Sequence, residues 1–191
     1  GAGEGRHVLD LCAAPGGKTL QLAAQGWQVT ALDISKRRLD LLKANLKRTG
    51  LKANTVRADA LTWEPRHQFD AILLDAPCSA TGTARRHPDV LHRIGARQID
   101  EMADLQSALL DRARGWLKPG GTLVYATCSL ECEEGEAQAT GVPLPVAPIT
   151  PEELPAGLAP TGEGWLRTDP GMLAEHGGLD GFFVARWRTK G

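Results

Sequence analysis

A chain of 191 residues with 42% apolar content can bury one sizeable core, and the length favours a single domain over 1–191. Twenty-two basic against 23 acidic residues leave a net charge of −1, which excludes the strongly basic body of a stand-alone nucleic-acid binder. No run approaches the ~18 apolar residues of a membrane span and the first residues lack a signal-peptide core, so a cytoplasmic protein with no membrane partner is expected.

The apolar run Val8 to Leu11, closed by Pro-Gly-Gly, has the length of a strand, and Lys18 to Ala24 resume a helical pattern. Strand, glycine-rich bend and helix N-terminus in succession make a cradle for something small and anionic. Gly16 and Gly17 lack Cβ and let the backbone approach a ligand, and the helix dipole favours a carboxylate or phosphate. The bend has the spacing of neither G-x-G-x-x-G nor G-x-x-x-x-G-K-[ST], which argues against NAD and ATP. Gln28 to Asp33 is a second strand, and its last carboxylate stands where an open α/β sheet meets ribose hydroxyls.

Ser35 is predicted to cap a helix with Leu39, Leu42 and Leu46 on one face and Gly50 as its stop. The basic residues of that helix, Lys36, Arg37, Arg38, Lys43, Lys47 and Arg48, read as a solvated face. Thr55 to Ala58 form a third strand, after which Asp59 either accepts a hydrogen bond from an exocyclic amine such as adenine N6 or caps a following helix.

Phe69 to Asp75 is the fourth strand and runs into A-P-C-S-A-T-G. A helix over Gln98 to Leu117 carries Ile99, Met102, Leu105, Leu109 and Trp116 as a core stripe. K-P-G-G, Lys118 to Gly121, is predicted to end it and to start a fifth strand, T-L-V-Y-A, that delivers T-C-S at Thr127 to Ser129. Val142 to Pro160 is proline-rich and expected to be extended or looped, and Gly181 to Trp187 read as the last strand. The alternation predicts an α/β fold, a mainly parallel sheet with helices on both faces.

The four cysteines, Cys12, Cys78, Cys128 and Cys132, make no disulfide framework and no C-x-x-C pair, so thiols are expected and a metal site is not. One cysteine after a strand is usually a small buried hydrophobe. Two of them, Cys78 and Cys128, at the carboxyl ends of strands expected to be neighbours, point instead to chemistry. Cys12 lies inside the loop, where its backbone matters more than its sulfur, and Cys132 has no partner pattern.

C-A-A-P-G-G-K, Asp33, Asp59, D-A-P-C-S-A-T-G and T-C-S together resemble the Sun/NOL1/NOP2 family of S-adenosylmethionine-dependent RNA cytosine-C5 methyltransferases. R-R-H-P-D at Arg85 to Asp89 and H-G-G-L-D-G-F-F at His176 to Phe183 are similar to its bacterial small-subunit ribosomal RNA branch. The resemblance implies a Rossmann-like methyltransferase fold with a seven-stranded, mostly parallel sheet, S-adenosyl-L-methionine as cofactor, and 16S ribosomal RNA as substrate of a monomer. By the same resemblance the cofactor is held by Cys12, Ala13, Ala14, Pro15, Gly16, Gly17, Lys18, Asp33, Asp59 and Asp75.

Cytosine C5 is a poor nucleophile until a thiolate adds to C6, so the implied reaction needs an activated cysteine. The resemblance makes Cys128 that nucleophile and Cys78 the second cysteine, which helps remove the C5 proton. Asp75 would hydrogen-bond the base edge or touch the cofactor. Lys18 would meet the cofactor carboxylate or the base, unless it is a solvated helix residue. Arg85, Arg86 and His87 are placed for phosphate contacts with an RNA whose target base is turned out of its stack.

The same chemistry on transfer RNA, and a non-catalytic cofactor-sensing RNA-binding module, are the alternatives; retention of both cysteines weighs against the second. The family carries an RNA-binding region ahead of the cofactor loop, so this chain is expected to be the catalytic domain. Where E-C-E-E-G-E-A-Q-A-T passes into G-V-P-L-P-V-A-P, the family runs a full helix; either residues are missing near Thr140 or the local structure is shortened.

Overall fold

A computed structural model describes residues 3–191. Seven strands form one sheet in the order β3-β2-β1-β4-β5-β7-β6, and the chain divides into two compact units. The first comprises Gly1–Asp75, Asp111–Leu123 and Thr189–Gly191, the second Ala76–Leu110 and Val124–Arg188.

In the first unit β1 (His7–Leu11) lies parallel to both β2 (Gln28–Asp33) and β4 (Phe69–Asp75), with Leu11 opposite Leu32 and Leu74. β3 (Asn54–Arg57) lies parallel to β2 and sets Asp33 opposite Arg57. Strands covered on both faces read as continuous apolar runs, and Val8, Leu9, Leu11, Ala31, Leu32, Ile72 and Leu74 are accordingly buried. This register brings the ends of β1, β2 and β4 to one edge, so the loop after Leu11, Asp33 and Asp75 share it.

α1 (Gly17–Ala24) follows the loop, and α2 (Lys36–Thr49) begins as expected: the Ser35 hydroxyl accepts from the Arg38 amide at 3.3 Å. It stops at Gly50, whose φ of 71° is left-handed. Leu39, Leu42 and Leu46 pack onto Ala13, Ala14 and Ala31, each leucine contributing roughly 1.5–3 kcal/mol of burial and fastening the loop to the helix.

The largest departure from expectation is K-P-G-G. α4 (Ala96–Gly115) ends earlier than Leu117, and Lys118 to Gly121 fall within the bounds of β5 (Leu117–Thr127) while keeping a left-handed φ of 72° at Gly120. Their backbone is claimed by the chain's last residues: the Gly120 amide donates to Lys190 O at 3.1 Å, and the Thr189 amide to Gly121 O at 2.9 Å. The Thr189 hydroxyl adds a bond to Lys118 O at 2.8 Å, from a partner 71 residues away in sequence. β3 also ends at Arg57, leaving both Ala58 and Asp59 beyond it.

The second unit contains α3 (Val90–Arg93), α4 up to Leu110, the end of β5, α5 (Glu136–Gly141), and β6 (Leu166–Thr168) paired antiparallel with β7 (Phe182–Arg188). Phe183 anchors its core, with ring centroids of Trp165 and Tyr125 at 5.6 and 6.4 Å. β6, three residues long, is too short to show a period and was not expected. α5 is a six-residue helix that runs straight into the proline-rich segment. That segment is irregular as expected, and the Ala147 amide ties it to Arg186 O at 2.8 Å.

Candidate active site

The glycine-rich loop after β1 lies wholly in the first unit. Cys12 opens it with a left-handed backbone, φ 59°, a conformation that costs a non-glycine residue energy and that clusters at ligand sites. The loop is then fixed from several sides. The Ala13 amide donates to Leu32 O at 3.0 Å, the Ala14 amide to Asp33 Oδ2 at 3.1 Å, and Asn45 Nδ2 to Pro15 O at 3.2 Å. Arg38, expected on a solvated face, instead donates to Ala14 O and stands 3.5 Å from Asp33 Oδ2. Its guanidinium reaches across 24 residues of sequence to satisfy a loop carbonyl.

The two loop glycines serve different ends. Gly16 has φ 106°, and a Cβ there would stand 2.8 Å from Leu42 Cγ, so its missing side chain accommodates the core and not a ligand. Gly17 is the open position: a Cβ there would meet nothing within 4 Å. Asp33 is 2% exposed and its Oδ1 accepts from the Ser35 amide at 2.8 Å. Two amides leave a carboxylate lone pairs to spare for hydroxyl donors. Asp59 is exposed, and its Oδ1 accepts from the Leu61 amide at 2.9 Å, so it caps a turn and not a helix.

Lys18 and Asp75 meet directly, Nζ to Oδ2 at 2.6 Å, with both side chains partly exposed. Behind them is a residue that sequence reasoning missed. Asp10 is fully buried on β1; it accepts from the Thr19 hydroxyl at 2.5 Å on Oδ2, while Oδ1 has no partner. Burial pushes its carboxyl up to about 7 against the pull of the Thr19 hydrogen bond. A polar residue breaking a buried apolar strand was the available signal. Burial, followed by the charges of Asp33 and Asp75, pushes the Cys12 thiol up to about 12 and makes it a poor nucleophile.

The thiol pair lies in the second unit. Cys78 follows β4 by three residues and Cys128 follows β5 directly, and their Sγ atoms are 3.5 Å apart as thiols, not a disulfide. The Cys128 hydrogen bond, then burial, pushes the Cys78 thiol well above the ordinary range. The two loops are locked by backbone contact at Gly82, whose amide donates to Cys128 O at 3.0 Å. A Cβ at Gly82 would lie 2.1 Å from Gly181 O, so only glycine lets these strands of chain approach. Cys132 is exposed in a short turn.

Arg85 and Arg86 are engaged by the late loop: Arg86 chelates Asp180 through Nε at 2.9 Å and Nη2, and Arg85 Nη1 donates to Gly177 O at 2.9 Å. R-R-H-P-D and H-G-G-L-D-G-F-F are thus one structural unit, with His87 exposed beside it. Among the described residues, no group of three or more His, Cys, Asp or Glu side chains converges on a metal site, and no helix is long and apolar enough to cross a membrane.

The 16S rRNA methyltransferase RsmB/F family matches residues 2–188. The chain belongs to that family. Ribosomal RNA small subunit methyltransferase B of Salmonella arizonae is 47% identical over an alignment covering 95% of this chain and 42% of that protein. The protein of the same name from Klebsiella pneumoniae is 47% identical over the same shares. Among solved structures, NSun6 from Pyrococcus horikoshii with SFG superposes with a TM-score of 0.84 at 31% identity, covering 97% of this chain and 48% of that one. This RsmB/F chain therefore spans less than half the length of the bacterial relatives it matches. Its fold is the Rossmann-like α/β fold of S-adenosylmethionine-dependent methyltransferases, and S-adenosylmethionine is the cofactor. The open backbone at Gly17 and the buried acid closing β2 fit that molecule.

Proposed function

We propose that the chain is the catalytic domain of a cytoplasmic, monomeric enzyme that methylates cytosine C5 in 16S ribosomal RNA through a covalent cysteine adduct. The observation that carries this reading is the pair of sulfurs 3.5 Å apart on the loops after β4 and β5. Activation of C5 calls for a thiolate at C6, and release calls for a base near C5; two adjacent cysteines supply both.

In this reading Cys128 Sγ bonds to C6, and the displaced electron pair makes C5 nucleophilic. The cofactor supplies an electrophilic methyl, which C5 accepts. Cys78 Sγ, as its thiolate, takes the C5 proton and becomes a thiol; the C5–C6 double bond reforms and the Cys128–C6 bond breaks, with Cys128 leaving as thiolate. Asp75, held by Lys18, hydrogen-bonds the base edge during attack. Asp33 accepts from the ribose hydroxyls, Asp59 from the adenine amine, and Cys12 to Lys18 frame the methionine end. Arg85, Arg86 and His87 approach phosphates, for which the two arginines must share or leave Asp180.

The test is a denaturing gel with labelled RNA, beside mass spectrometry of ribosomal RNA from cells lacking the protein. Cys78→Ala should accumulate a denaturant-stable adduct, Cys128→Ala should form none, and 5-methylcytosine should vanish from one small-subunit position. An adduct in Cys128→Ala alone would reverse the two roles. Loss of the base from transfer RNA instead would move the substrate.

A further inference from the structure

Glu134 lies in the second unit, is wholly buried, and has no part in the chemistry above. Its carboxylate takes a hydrogen bond at each of four positions. Oε1 accepts from the Ser79 amide at 2.8 Å and from Gln106 Nε2 at 3.0 Å. Oε2 accepts from the Ser129 hydroxyl at 2.5 Å and from the Ser79 hydroxyl.

Two of the three residues that bond that carboxylate sit beside the two sulfurs in sequence. Ser79 follows Cys78, and Ser129 follows Cys128. The same network grips the preceding residues: Gln106 Nε2 lies 2.9 Å from Pro77 O, and the Thr127 hydroxyl donates to Glu134 O at 3.2 Å. The Tyr125 hydroxyl, 2.7 Å from Glu134 O and 2.9 Å from Gln106 Oε1, ties the strand that delivers Cys128 to the same centre. Each cysteine is therefore bracketed on both sides by residues that meet at Glu134. Acceptor-only chemistry is required there, because every neighbour that reaches the carboxylate donates.

We propose that Glu134 is a positioning residue that sets the separation of the two sulfurs, acting through Ser79 and Ser129. The proposal rests on the cysteine chemistry of the preceding subsection for its catalytic consequence, but not for its geometric one. A carboxylate fixed to both loops holds the nucleophilic sulfur and the proton-accepting sulfur against the same base. Glutamine in its place presents a donor to a ring of donors, and one loop must let go.

The decisive experiment reads the sulfur separation directly. Diamide takes two hydrogens from a neighbouring thiol pair and leaves an Sγ–Sγ bond, and intact mass reports the loss of two hydrogens without involving RNA. In Glu134→Gln, Cys78–Cys128 closure should slow at least ~10-fold, and single-turnover methylation ~10- to 100-fold, while S-adenosylhomocysteine affinity stays within about twofold. Ser79→Ala and Ser129→Ala should shift both rates in the same direction and combine non-additively with Glu134→Gln. Wild-type closure and turnover in a Glu134→Gln protein that still binds S-adenosylhomocysteine would overturn the proposal. If Glu134→Gln does not fold, unchanged closure in both serine variants overturns it. Should Cys78→Ala form no RNA adduct, the cytosine reading fails, and the closure rates still decide the role of Glu134.

Discussion

Asp10 keeps its proton in the folded chain up to about pH 7, held there chiefly by burial on β1. In the unfolded chain an aspartate releases it near ~3.9. Between those values the folded state binds the extra proton, so this residue's contribution to stability is full at low pH and is lost as pH rises to about 7, by up to ~4 kcal/mol. Glu153, held down to about 2 by the Arg186 hydrogen bond, has the opposite slope at lower pH. Urea unfolding across pH 4 to 8 should therefore be compared with Asp10→Asn, whose difference from wild type must flatten above about pH 7. A difference that does not change with pH would mean Asp10 is ionised throughout. Asp33 is the companion case: it holds the Ala14 and Ser35 amides and is the proposed ribose acceptor. By calorimetry, Asp33→Ala should weaken S-adenosylhomocysteine binding by ~1–3 kcal/mol and lower stability as well, since two amides lose their acceptor.

The strand-loop-helix element behaves as two halves with distinct tolerances. At Gly16 an added methyl meets Leu42 and a left-handed backbone, so Gly16→Ala should destabilise the chain by ~1–3 kcal/mol. At Gly17, on the first turn of α1 with open space around it, alanine should leave stability unchanged or raise it by ~0.5–1 kcal/mol. Cofactor affinity should nonetheless fall in Gly17→Ala, because the open space is where the ligand is expected to lie. Paired thermal melts and titrations separate the two effects. Equal stability losses at both positions would contradict the division. The cysteine element is built on the same principle, with Gly82 and Gly181 letting two backbones touch where any side chain would part them.

At the scale of the molecule, a net charge of −1 limits what the chain contributes to RNA affinity. Arg85, Arg86 and His87 are the proposed phosphate contacts, and both arginines already have an anionic neighbour in Asp180. Each phosphate neutralised on single-stranded RNA adds about −0.7 to the slope of log K against log salt, so a shallow slope of about −2 is expected. Filter binding between 50 and 200 mM salt, roughly the range over which such slopes are read, measures it. A slope beyond about −5 would require a larger basic surface than this loop provides.

Local sequence by itself determined β1, the loop, β2, α2 and the acid that closes β2, because periodicity, breakers and caps act between near neighbours. The two motifs that deliver Cys78 and Cys128 were legible for the same reason, as each is a short strand end followed by a turn. Only the tertiary structure decided what holds those parts together. Arg38 satisfies a loop carbonyl 24 residues away, the chain's end pairs with the K-P-G-G backbone, and Gly16 makes room for Leu42. In the sequence Asp10 shows only as a polar break in an apolar strand, and Glu134 as an ordinary acid. Burial separates them: one is left with an unpartnered oxygen that keeps its proton in play, and the other has every position filled by donors from both cysteine loops. Desolvation and hydrogen-bond satisfaction depend on atoms gathered from distant parts of the chain, and no local pattern encodes them.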